Sequence, residues 1–190
     1  MNLYHLQNGS DIRGTAIETE SEAVTLTSET AGLFAKGFVT YLRKHFNKEN
    51  ICVAVGHDSR LSAETLKRSI IENMVELGVQ VFDTHLSSTP SMFCSTQFEA
   101  YSCDGAIMIT ASHLPFQRNG MKFFDRNGGL NKADIKEIIT YAVENNFTSK
   151  AGGSVAERDL ISDYALFLRN LICERVNHPT NYNQPLSGLH

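Results

Sequence analysis

Ser112 and His113 stand side by side where the apolar run Ile107-Met108-Ile109 stops in the polar turn Thr110-Ala111-Ser112-His113, and Lys122 follows ten residues after the serine. An exposed hydroxyl of this kind can carry an acyl or a phosphoryl group, and the charges around it decide which. Arg13, on a glycine-flanked loop, and Arg60, at the end of Gly56-His57-Asp58-Ser59-Arg60, can reach the same mouth. Three cations around one hydroxyl suit a phosphate dianion better than an acyl intermediate. A phosphoserine carries about −1.5 to −2 charge, which paired arginines offset. Acyl chemistry fits poorly: Thr110 and Ala111 precede Ser112, so there is no G-x-S-x-G elbow. His113 need not turn its ring to the neighbouring hydroxyl, although a distant His57 or His85 could reach it as a base.

Bringing these residues together requires a sheet whose strands end at one crevice. Ile51-Cys52-Val53-Ala54-Val55, Val79-Gln80-Val81-Phe82 and Gly105-Ala106-Ile107-Met108-Ile109 are short apolar runs of strand type. Met121-Lys122-Phe123-Phe124 alternates as a half-buried strand, with Asn127-Gly128-Gly129 as its turn. Helices fall between them. One starts at Thr27-Ser28 with the stripe Ala31, Phe34, Ala35, Phe38 and Leu42; the next is capped by Ser62 and carries Leu66, Ile70, Met74 and Leu77 up to Gly78. A short helix over 90–100 opens with Pro90, Asn131 caps another, and Ile161 to Ile172 mark the last. Residues 1–15 read as a loop, and 16–27 as extended or loop. The order α-β-α-β-α-β-β-α-α predicts an α/β fold, a three-layer α/β/α sandwich with a mixed, mostly parallel sheet and an antiparallel member near Lys122. That domain occupies 1–175, and the polar stretch 176–190 reads as a linker.

The 190 residues suffice for one domain with a core. A net charge of −4, with no basic run beyond two residues, argues against a nucleic-acid surface. No segment has the length of a membrane span or the pattern of a signal peptide, and Cys52, Cys94, Cys103 and Cys173 form no C-x-x-C pair. Free thiols in a reducing, cytoplasmic setting are the expectation. The site residues also have plainer readings. Ser112 can simply cap a following helix, Arg60 can pair with Asp58 or Glu64 on the surface, and Lys122 can keep a sheet edge soluble.

Taken together, Thr110-Ala111-Ser112-His113 with Pro115, and Asn119-Gly120-x-Lys122, resemble the phosphoserine loop of the α-D-phosphohexomutases, the phosphoglucomutase, phosphomannomutase and phosphoglucosamine mutase enzymes. Asp11-Ile12-Arg13-Gly14, Gly56-His57-Asp58-Ser59-Arg60 and Thr89-Pro90 occur in that family's order, so the resemblance covers roughly residues 5–145. It implies the first of four domains, the remaining three being partners of this one and the chain being inactive by itself. It further implies that Ser112 is the phosphoserine, exchanging a phosphoryl group with a hexose phosphate through a hexose bisphosphate. His113 and Lys122 become acid–base candidates, and Arg13 and Arg60 phosphate ligands. Mg²⁺ would be held by a phosphate oxygen on Ser112, with its carboxylate ligands outside this chain. Thr110 leans toward glucose or mannose phosphates over glucosamine phosphate. Leu114 departs from the family's usual asparagine. The alternative is a non-catalytic module that binds phosphate or a sugar phosphate in the same cradle.

Overall fold

Two of the capping residues read from the sequence, Thr27 and Asn131, start their helices. In a computed structural model of the chain, which describes residues 2–188, helix α1 spans Ser28–Phe46. Thr27 accepts the Thr30 amide while the Thr30 hydroxyl accepts that of Thr27, so two otherwise orphaned N–H groups are satisfied reciprocally. Asn131 caps α4 (Lys132–Glu144) in the same way, and Ser88 caps the short α3 (Thr89–Cys94), with Pro90 in its first turn as expected. Asn47 and Asn145 close α1 and α4 in the left-handed region. Helix α2 (Ala63–Glu76) is the exception: Ser62 gives its N-terminus no side-chain hydrogen bond. Its hydroxyl instead accepts from Asn119, 2.8 Å away. Met1, Leu189 and His190, the last two within the expected linker, lie outside the described residues.

The strands are β1 (Gln7–Asn8), β2 (Asp11–Thr15), β3 (Cys52–His57), β4 (Gln80–Leu86), β5 (Gly105–Ile109), β6 (Arg118–Asp125), β7 (Gly128–Gly129) and β8 (Ser154–Glu157). They form one mixed sheet in the order β1-β2-β6-β5-β3-β4-β8, with β7 paired to β6. β5, β3, β4 and β8 are parallel neighbours; β6 is antiparallel to β5, as expected near Lys122. The antiparallel side is wider than the sequence indicated, because β1 and β2 extend it from a stretch read as a loop. Ile12 is the lone large apolar residue of β2, so apolar periodicity could not reveal the strand. β8 was missed for the same reason, being a short polar edge on β4.

Alternation along the strands divides the interior between two faces. Val53, Val55, Ile107 and Ile109 pack with Phe34, Phe38, Ile70 and Ile138 of α1, α2 and α4. Ala54, Ala106 and Met108 meet Met92 and Leu160 on the other side, where α3 and α5 (Leu160–Val176) lie. Each large apolar side chain so buried contributes about 1.5–3 kcal/mol. Gly37 lets α1 touch α4, since a Cβ there would sit 2.4 Å from the Ile138 carbonyl oxygen. On α5 only Leu160 and Cys173 are buried, and much of its predicted apolar stripe faces outward. Among the described residues no helix is long and apolar enough to cross a membrane.

Candidate functional site

β3 and β5 are adjacent and parallel, so His57 and Ile109 end them side by side. The ladder runs one bond further, the Asp58 amide donating to the Ile109 carbonyl at 3.1 Å. This places the Asp58 carboxylate beside the loop that leaves β5. Thr110 donates its hydroxyl to Asp58 Oδ2 at 2.6 Å, and the Ser112 amide donates to Thr110 Oγ1 at 2.9 Å. A charge-assisted relay thereby fixes the serine's backbone from the neighbouring strand. Ser112 itself is exposed and has φ 57, a left-handed conformation that costs an L-residue roughly 1–2 kcal/mol.

Arg60 holds the rest of the loop. Nη2 donates to the carbonyls of Ser112 and Leu114, both at 2.8 Å. Nη1 donates to those of Pro115 at 2.9 Å and Arg118 at 3.0 Å. Nε lies 3.3 Å from Asp58 Oδ2, near enough for an ion pair but off the line of an N–H bond. The sequence reading set Arg60 on the phosphate; in the structure both terminal nitrogens are engaged by loop carbonyls. The planar fork of donors suits arginine to this work.

Arg13 and Lys122 meet through a residue the sequence reading had not assigned. Register pairs Asp11 with Lys122 and Arg13 with Gly120 across β2 and β6. Asp11 Oδ2 accepts from Lys122 Nζ at 2.6 Å and from Arg13 Nη2 at 2.8 Å. Two cations sharing one carboxylate leave a single unit of positive charge, less than three free cations would supply. Gly120 makes the approach possible, because a Cβ there would lie 2.4 Å from the Ile12 carbonyl oxygen and 3.1 Å from Arg13 Cγ.

No helix follows Ser112; the loop runs directly into β6, so Ser112 caps nothing. Lys122 is on an internal strand, between β2 and β5, and protects no edge. Arg60 does face Asp58, but Glu64 turns to Lys67 and His57 instead. Neither distant histidine serves the hydroxyl. The His57 ring contacts the Asp58 carbonyl at 2.7 Å and Glu64 at 3.0 Å, while His85 lies near Asp83 and Glu157. His113 is exposed next to Ser112. Leu114 is half-buried and helps line a cavity of about 260 Å³ together with His5, Gln7, Arg13, Thr25 and Arg118. Its main chain, not its side chain, serves the turn, its amide bonding Ala111 and its carbonyl Arg60.

An exposed serine in a left-handed turn thus stands at the carboxyl ends of parallel strands in an α/β domain, with Lys122 on the adjacent β6 and Arg60 in the loop after β3. The comparisons with known proteins name the family. The description "Phosphoglucomutase/phosphomannomutase, alpha/beta/alpha domain I" matches residues 5–150, and the chain belongs to that family. It is 30% identical to the phosphoglucosamine mutase of Clostridium tetani over 86% of this chain and 36% of the relative. It is also 30% identical to the phosphoglucomutase/phosphomannomutase of Thermococcus kodakarensis, over 85% of this chain and 34% of the relative. The chain thus spans about a third of the length of these curated relatives. In fold it resembles a phosphoglucomutase/phosphomannomutase family protein of Burkholderia thailandensis, with a TM-score of 0.70, 24% identity and coverage of 88% of this chain and 34% of the other.

Proposed function

We propose that this chain is the phosphoryl-carrying N-terminal domain of a hexose-phosphate mutase, with Ser112 as the carrier. The observation that supports this best is the anchoring of Ser112. Its amide is fixed by Thr110 and Asp58 and its carbonyl by Arg60, while the residue itself stays exposed. A group that must give up and regain a phosphoryl unit gains from being held in place before the reaction.

In the forward half-reaction the Oγ–P bond of phosphorylated Ser112 breaks as a hydroxyl of a hexose monophosphate forms its own bond to phosphorus. The hydroxyl proton passes to a base and the serine oxygen is left to be protonated or rephosphorylated. The resulting bisphosphate then returns its other phosphoryl group to Ser112, so that 1-phosphate and 6-phosphate interconvert. Arg13 and Lys122, with Asp11 between them, supply positive charge to the phosphoryl group. His113 and Lys122 are the acid–base candidates, and Arg60 is a positioning residue that shapes the loop. Thr110 belongs to the same loop support, since its hydroxyl is engaged on both sides. Glucose or mannose phosphate is the substrate proposed here.

Mg²⁺ does not fit the residues of this chain alone. Among the described residues no three His, Cys, Asp or Glu side chains are grouped to hold a metal ion, and Asp11 and Asp58 are each paired with arginine. A phosphate oxygen on Ser112 would be one ligand, the others coming from domains beyond residues 1–175, to which 176–190 would be the linker. On this reading the isolated chain turns over no substrate.

Phosphopeptide mapping of the protein as its cell makes it should place the phosphate on Ser112, and Ser112→Ala should abolish mutase activity. Phosphate on another residue, or full activity in Ser112→Ala, overturns the proposal. A binding module without chemistry is the second reading, favoured by the cavity that Leu114 and Arg118 line. Tight binding of glucose 1-phosphate by the chain, unaffected by Ser112→Ala and with no phosphate ever found on Ser112, would decide for it.

A further inference from the structure

Cys52 and Cys103 lie at the opposite end of the sheet from Ser112, where β3 begins and just before β5 does. Their sulfurs are 3.6 Å apart, in contact, and a disulfide needs about 2.05 Å. The segments bearing them are already bound together. The Cys52 amide donates to Asp104 Oδ2 at 3.0 Å, and the Asp104 amide to the Cys52 carbonyl at 2.8 Å. The two thiols are not equivalent. Cys103 is buried, whereas Cys52 is half-buried and helps line a cavity of about 640 Å³ with Lys48, Asn50, Gln80, Tyr101 and Ser102. A small thiol reagent can therefore reach Cys52 from that cavity.

The charges nearby favour a thiolate on the accessible member. Lys48 and Arg126 both bind Asp104, at 2.8 and 3.0 Å, so the group beside Cys52 carries two cations and one carboxylate. The thiol–thiol hydrogen bond, aided by these cations, holds Cys52 below the usual thiol range. The same bond together with burial pushes Cys103 up. A nucleophilic, reachable sulfur next to a protected one is the division of labour that thiol–disulfide exchange requires.

We propose that Cys52 and Cys103 form a reversible dithiol–disulfide site that exchanges with low-molecular-weight disulfides. The Cys52 thiolate attacks one sulfur of the small disulfide, forming a mixed disulfide and expelling the other half as a thiolate. Cys103 then loses its proton and attacks the Cys52 sulfur, expelling the second half. Two protein thiols are oxidised to one disulfide, and one small disulfide is reduced to two thiols. The site is independent of the Ser112 chemistry.

Incubating the chain with oxidised glutathione tests this. The expected result is a loss of two hydrogens by intact mass, a Cys52–Cys103 linked peptide in a non-reducing digest, and full reversal by dithiothreitol. Cys103→Ser should stop at a stable glutathione adduct on Cys52, and Cys52→Ser should leave Cys103 unmodified. A lasting glutathione adduct on the unsubstituted chain, a link through Cys94 or Cys173, or no reaction would overturn the proposal. If a variant does not fold, the unsubstituted chain still decides: iodoacetamide must label Cys52 well before Cys103, and equal rates refute the assignment.

Discussion

Replacing Arg60 with alanine should release the serine loop while leaving the sheet intact. The guanidinium makes four hydrogen bonds to the carbonyls of Ser112, Leu114, Pro115 and Arg118. A hydrogen bond to a charged group contributes about 1.5–3 kcal/mol net, but four such terms do not add here. Two of the bonds lie at the exposed rim, and carbonyls freed at the surface are rehydrated. The relaxing loop also recovers the left-handed strain at Ser112. A loss of about 2–4 kcal/mol for the closed loop is the consistent figure, equivalent to roughly 30- to 700-fold in its opening equilibrium at 1.4 kcal/mol per decade. Three amides report on the loop: Ser112 bonded to Thr110, Leu114 to Ala111, and Arg118 to Pro115. Hydrogen exchange at these sites should accelerate by that factor in Arg60→Ala, with amides of β5 changing far less. Arg60→Lys should recover little, because an ammonium cannot span four acceptors in a plane. Unchanged exchange at the three amides in Arg60→Ala would refute the clamp and return Arg60 to the phosphate.

Three further substitutions probe neighbouring features. Ser112→Gly should raise stability by up to about 1 kcal/mol in denaturant melts, because glycine adopts the left-handed conformation without strain, although it loses part of that gain to unfolded-chain entropy. Gly120→Ala should destabilise by about 2 kcal/mol or more, the new methyl meeting the Ile12 and Thr110 carbonyl oxygens at 2.4 and 2.9 Å; a melting point unchanged from the parent would show that β2 and β6 can separate at little cost. At Glu64 burial acts to raise the carboxyl pKa, but the hydrogen bond and charge of Lys67, with His57 nearby, bring it below the ordinary value of 4.5. The lowered folded value means that its contribution is present above pH 4.5 and disappears as the pH falls through it. The stability difference between the parent and Glu64→Gln should therefore be small, because the group is largely exposed, and should vanish under acid; a difference that grew on acidification would contradict the pairing.

The layered α/β fold and the loop bearing Ser112 were legible in the chain because both rest on local rules. Capping residues at Thr27 and Asn131 and apolar runs ending near Val55 and Ile109 depend only on neighbours a few positions away. β2 was not legible, since Asp11 and Arg13 look like loop residues until Lys122 is set across from Asp11 by β6. The exposed stripe on α5 shows the same limit from the other side: periodicity locates an amphipathic helix but not what covers its apolar face.

For the site, the sequence determined which groups are present: the serine in its polar turn, the histidine beside it, and the three cations on separate segments. Tertiary structure decided what each group is free to do. Arg60, a cation the sequence offers to a phosphate, makes its hydrogen bonds with the loop, while Arg13 and Lys122 share Asp11. Asp58 and Thr110 fix Ser112 through a contact between the ends of β3 and β5, fifty-two positions apart in the chain. The physical reason is that residue types set which hydrogen bonds and charges are possible, while strand register and order choose the partners that satisfy them.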